Sequence, residues 1–113
     1  MPKGSEDKAR AFYSGLLELR EIPKPEPLRD RGGVWFDADG LDIHLSVEVQ
    51  RPDRADTGRH FGFACADVDA LRTRLHGAGV PTDDGRPAPW RRFFVHDPFG
   101  NRIEIHEPGG LRA

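Results

Sequence analysis

DIHLS (42–46) returns about 60 residues later as RIEIH (102–106), and two predicted helix caps, Ser5 and Asp67, stand about 62 residues apart. A common offset of this size marks an internal repeat, which constrains the fold more tightly than composition does. In outline each unit is strand–helix–strand–strand–strand. Neither unit alone can bury one face of its sheet, so the pair, or a dimer of them, must share a core. The expected organisation is a first module over 1–52, a second over 59–108 and a tail at 109–113. With 113 residues the chain suits one domain built of two packed modules, not two independent domains. One omission stands out. HFGFACA precedes the second helix, but nothing equivalent precedes the first, and subtracting the offset from His60 lands at or just before Met1. The first strand of module one is therefore expected to be largely absent from this sequence.

The elements follow from periodicity. SEDKARAFYSGLLEL begins with Ser5 as N-cap and the acids Glu6 and Asp7, which suit the positive end of a helix dipole. Ala9, Phe12, Tyr13, Leu16 and Leu17 then form one apolar stripe, predicting a helix that ends between Gly15 and Glu18. PKPEP breaks regular structure. GGVWFDADGLDIHLSVEV reads as a hairpin turning at DADG, with Leu41, Ile43, Leu45 and Val47 alternating against Asp42, His44, Ser46 and Glu48. RPDRADTGR is a polar loop and HFGFACA a strand. A second helix follows, capped by Asp67, striped with Val68, Leu71 and Leu75, and stopped by Gly77 and Gly79. DDGRPAPW is read as loop, RRFFVH as strand, DPFG as turn and NRIEIHE as the last strand.

Composition narrows the function. A net charge of −2 lacks the basic excess of a nucleic-acid binder. The arginines cluster at Arg29/Arg31, Arg51/Arg54 and Arg91/Arg92, where solvated loop charge or an anion-holding role are the two readings. A single cysteine, Cys65, precludes an internal disulfide and fits a reducing cytoplasm; its apolar surroundings predict a buried, inert thiol. There is neither a signal h-region nor an apolar stretch of membrane-spanning length, so no membrane is expected as a partner.

Strand parity assigns each side chain a face. His44, His60 and Glu104 each lie opposite the apolar row of their own strand. Gly62, Ala64 and Ala66 share the parity of His60 and are expected to leave a hollow beside it. Two imidazoles and a carboxylate make a donor set for a divalent ion such as zinc, nickel, manganese or iron(II). Trp35, Phe94 and Trp90 are candidate pocket walls, with Arg92 or His96 meeting an anionic group. Core packing is the competing reading for each aromatic. His106 and His76 read as surface residues, and Tyr13 as helix–sheet packing with a polar tip.

EDKARAFYSGLLEL, GGVWF, DIHLS, HFGFACADVDALRTRLHGAGV and above all FFVHDPFGNRIEIHEP resemble the vicinal oxygen chelate superfamily: glyoxalase I, bleomycin- and fosfomycin-resistance proteins and extradiol dioxygenases. The resemblance implies an α+β fold, paired βαβββ modules curling into a cup-shaped mixed sheet, often completed by a homodimer. Family metal ligands sit on the first and last strands of each module. By position, His60 matches the first-strand ligand of module two, Glu104 its last-strand ligand and His44 the last-strand position of module one. The fourth position falls upstream of Met1. The function implied is that of a small metal-dependent lyase, isomerase or dioxygenase chelating a small oxygenated metabolite, with Glu104 as general base. The alternative is a metal-free protein that binds and sequesters a drug or antibiotic in a dimer groove.

Overall fold

The computed structural model describes residues 1–47, 60–88 and 90–108. It divides into two compact units, Met1–Pro52 and Asp53–Ala113. The expected polar loop at 51–59 and the tail at 109–113 lie outside the described residues.

In the first unit, α1 (Glu6–Ala9) runs on into a π-helical segment, Arg10–Leu16. The wider turn is closed by Leu17 N–H donating to the Phe12 carbonyl at 3.0 Å, and Ser14 Oγ donates to the Leu19 carbonyl at 2.7 Å. The extra residue per turn lets the adjacent Phe12 and Tyr13 both become buried, while Leu16 and Leu17 are only half-buried. Ser5 makes no side-chain cap; only its backbone carbonyl takes part, accepting from Ala9 N–H at 3.1 Å. The first-turn acid Glu6 accepts instead from Gly33 N–H at 3.2 Å, joining the helix to the strand entry.

Three antiparallel strands follow in the order β1 (Arg20–Ile22), β2 (Val34–Ala38), β3 (Leu41–Leu45). β1 comes before the prolines that end it and is a strand the periodicity did not predict. Its three residues are too few to show alternation. After it, Glu26–Arg31 forms a 3₁₀ helix. The hairpin turns at Asp39 and Gly40, both at positive φ (54° and 90°), as an Asp-Gly turn between twisted strands requires. Val34 and Phe36 face the helix, with Tyr13 stacked on Phe36 at 5.3 Å. Of the aliphatic row on β3, only Leu45 is buried; Leu41 is 62 % exposed. The strand ends at Leu45, short of the expected Val47.

The second unit is a four-stranded sheet in the order β4-β7-β6-β5, built from β4 (His60–Ala64), β5 (Thr82–Asp83), β6 (Arg92–His96) and β7 (Arg102–His106). β4 lies parallel to β7, and α2 (Val68–Gly77) carries the chain from β4 to the opposite edge. Asp67 caps α2 as expected, its Oδ1 accepting from Ala70 N–H at 3.0 Å. β5, whose Asp83 opens the stretch read as loop, is a two-residue strand. Phe93, Val95, Ile103 and Ile105 pair across β6 and β7 and pack with Leu75 of α2. The DPFG turn is held by Asp97, 5 % exposed, whose Oδ1 accepts from Phe99 and Asn101 N–H at 2.9 and 2.8 Å. Cys65 is half-buried, not buried, with Sγ 3.4 Å from the Asp67 carbonyl. No helix among the described residues is long and apolar enough to cross a membrane.

The two units are helix-plus-meander repeats that differ at one place. In the second, β4 fills the outer edge of β7. In the first, no strand among the described residues pairs with the outer edge of β3. Cys65 N–H donates to the His106 carbonyl at 2.8 Å, and at the equivalent carbonyl, Ser46, the donor is the Met1 ammonium at 2.7 Å.

Candidate functional site

Cross-strand register gathers the polar side chains of the second unit. Glu104 stands opposite Phe94 on one side and Gly62 on the other, so all three belong to one face of the sheet. His60, Arg102 and Arg92 share that face by the period-two rule. The other face carries Phe93, Val95, Ile103 and Ile105, committed to the helix. Glu104 is therefore not a solvent-facing carboxylate. It is 5 % exposed, and a charge so buried needs partners.

It has three. His60 Nε2 lies 3.3 Å from Oε1, and Arg92 donates to the same oxygen at 3.5 Å. Trp90 Nε1–H donates to Oε2 at 3.4 Å. These are long contacts, near the outer limit of hydrogen bonding, so the carboxylate is held in place without being saturated. Phe94 forms the floor: its ring meets His60 edge-on at 5.1 Å and carries the guanidinium groups of Arg102 and Arg92 at 3.9 and 4.9 Å. Gly85, at φ 64°, lies against that ring so closely that a Cβ there would sit 2.5 Å from Phe94 Cε2.

Beside His60, Gly62, Ala64 and Ala66 are all exposed, and His106 borders this face. A Cβ on Gly62 would meet the His106 ring at 3.4 Å, so His106 is a half-buried neighbour of the site and not a surface residue. Arg102 and His106 stand two residues either side of Glu104, and that parity is the sequence signal identifying them. His76 is on the surface, as expected, with Nε2 2.8 Å from Thr82 Oγ1. His96 shares the parity of Arg92 and Phe94 but carries a buried Nε2 without a hydrogen-bond partner among the described residues.

The structure thus brings His60, Glu104, Trp90, Arg92 and Phe94 together. His44 and Trp35 meet each other in the first unit. They are register partners on β3 and β2, and their rings stack at 3.5 Å with 7° between planes.

Two donors bonded to one ion at about 2.1 Å, about 105° apart, lie about 3.3 Å from each other. The spacing of His60 and Glu104 matches that distance. Among the described residues, however, no group of three or more His, Cys, Asp or Glu side chains is gathered around a metal position. The donor chemistry fits a divalent ion as a pair.

The family model described as Glyoxalase/Bleomycin resistance protein/Dioxygenase superfamily matches residues 3–105. A glyoxalase family protein from Bacillus anthracis is 40% identical over 95% of this chain and 87% of its own, with a TM-score of 0.83. FosX, a fosfomycin resistance protein from Listeria monocytogenes, is 23% identical over 88% and 80%, TM-score 0.73, a likeness of fold. TnmS3, an antibiotic-binding protein from Streptomyces sp. CB03234, is 26% identical over 96% and 90%, TM-score 0.66. No curated protein matches the chain.

Proposed function

The chain belongs to the glyoxalase/bleomycin resistance/dioxygenase superfamily, and from that premise we propose that it is a small metal-dependent lyase, isomerase or dioxygenase acting on a small oxygenated metabolite. The observation that carries the reading is the buried Glu104 carboxylate set 3.3 Å from His60 Nε2 across two parallel strands. His60 and Glu104 are the donors of the ion. A divalent ion there would supply Lewis acidity to two adjacent substrate oxygens. Glu104 is the proton acceptor, at whichever carboxylate oxygen the substrate reaches. Arg92 and the Trp90 N–H hold that carboxylate in orientation, and Arg92 offsets its charge. Phe94 excludes water from one side. Leu41 and Phe61, exposed on edge strands of their sheets, support assembly of two copies, and the single free thiol suits a cytoplasmic setting.

Titrating zinc, nickel, manganese and iron(II) into the untagged protein by calorimetry tests this. One ion per chain is expected for at least one metal, with affinity reduced tenfold or more by His60→Ala and Glu104→Gln. Absence of stoichiometric binding by all four would remove the metal reading. The Arg92 contact with Glu104 favours a second reading, in which the guanidinium neutralises the carboxylate and the protein binds a drug or antibiotic without metal. Ligand binding indifferent to a chelator would select it.

A further inference from the structure

A cavity of about 340 Å³ opens beside the Glu104 site, between the start of α2 and the segment leading into β6. Its walls include four arginines, Arg72, Arg86, Arg91 and Arg92, against two aspartates, Asp69 and Asp84, and a tryptophan, Trp90. With Glu104, the partner of Arg92, counted beside the two aspartates, four guanidinium groups stand against three carboxylates. The aspartates pair with Arg91 and Arg72, and Asp69 holds the Arg91 guanidinium above its usual pKa, so that group stays charged. Among the described residues, Arg72 Nε and Arg92 Nε are buried donors with no acceptor, so these two arginines present their terminal nitrogens, not Nε, to the cavity. Arg92 also lies over the Trp90 ring at 5.6 Å, so the cavity combines a flat apolar wall with guanidinium groups.

We propose that this cavity binds a small aromatic oxyanion, a carboxylate or a phosphonate, with the ring against Trp90 and the charge among Arg86, Arg91 and Arg92. Guanidinium groups favour such oxyanions because they present paired N–H donors in one plane. The cavity volume admits a ligand of this size. Trp90 and Arg92 line the cavity and also donate to the Glu104 carboxylate, so an occupant would lie next to it. The proposal deepens the reading above by naming a substrate class, and rests on it only for what happens at Glu104.

The test uses a Trp35→Phe background, which leaves Trp90 as the sole indole. Phenylphosphonate and benzoate are titrated while Trp90 fluorescence is followed, with benzyl alcohol as the uncharged control. Saturable quenching by at least one anion is expected, weakened by salt and absent with the alcohol. Arg86→Gln with Arg91→Gln removes two exposed guanidinium groups and should weaken binding about tenfold or more. Circular dichroism and a thermal melt verify that this double variant is folded. His60→Ala should leave anion binding intact while metal affinity falls, so failure of the metal reading is separable from failure of this one. No saturable quenching by either anion, equal quenching by benzyl alcohol, or undiminished quenching in the folded double variant would overturn the proposal.

Discussion

The two sheets of this protein repeat one plan, yet they treat the same position differently. At the repeat-related centre of the last strand stand His44 and Glu104. His44 is exposed and stacked on Trp35, its register partner. Glu104 is enclosed by His60, Arg92, Trp90 and Phe94. The pleat puts both on the face away from the helix. What separates them is the neighbouring strand: β4 supplies His60 beside β7, and no described strand does the same beside β3. A polar residue on a strand becomes part of a site when the adjacent strand completes its surroundings.

The largest effect should come where the two units agree. Phe36 and Phe93 are each fully buried between helix and sheet. Phe93→Ala and Phe36→Ala should each lower unfolding free energy by about 3–5 kcal/mol in denaturant titrations. A much smaller loss in one unit would mean that its core is less tightly packed than the other.

The next effect separates the units. Glu104→Ala leaves the Arg92 guanidinium, 15% exposed, without its carboxylate in a largely enclosed site. It should cost about 2–3 kcal/mol. His44→Ala removes an exposed ring and should cost under about 1 kcal/mol. Equal losses would remove the contrast drawn above.

Pleat parity made the face of Glu104 legible, because side-chain period two needs only the strand itself. It also separated His60 from Phe61 and Phe63. The same rule failed for Leu41, which is apolar but exposed at the hairpin end of β3. Short edge strands escaped as well: Arg20–Ile22 and Thr82–Asp83 are too brief to display a pattern and owe their conformation to β2 and β6. The long-range partners of Glu104 were only partly readable. Arg92 and Trp90 were candidates for a pocket, but their convergence on one carboxylate depends on the path of the segment before β6.

The turns offer a smaller contrast. Asp97 is buried and satisfies two backbone N–H groups and the Asn101 amide, the last at 2.7 Å. In the first unit the half-buried Asp37 accepts one backbone N–H at Oδ1, from Gly40 at 2.9 Å, and its Oδ2 meets only the exposed Arg20 at 3.4 Å. Asp97→Ala should therefore cost about 2 kcal/mol and Asp37→Ala about 0.5 kcal/mol, read from melting or denaturant midpoints. A similar cost for both would show that the local geometry of the turn, not its buried hydrogen bonds, determines stability.

The finest comparison concerns two clasps about 62 residues apart. Arg10 reaches from the first helical segment to Glu21 on β1 at 2.9 Å, and Arg72 reaches from α2 to Asp84, just past β5, at 2.7 Å. Arg72 does more, donating to the Arg92 carbonyl at 3.4 Å and lying over the Phe93 ring at 4.9 Å. Arg72→Ala should cost about 1–2 kcal/mol, including lost packing of its stem. Arg10→Ala should cost about 0.5 kcal/mol, because its partners are exposed and screened. The pH dependence follows from the sign. Glu21, and then Asp7, raise the Arg10 pKa above its ordinary value, against the lowering by burial. A raised folded-state value contributes stability that is fully present below the unfolded value and is lost only as pH climbs through the folded one. The arginine's own titration therefore adds no pH dependence between about pH 6 and 9. Salt, not pH, is the variable that should erase the cost of Arg10→Ala while leaving most of that of Arg72→Ala.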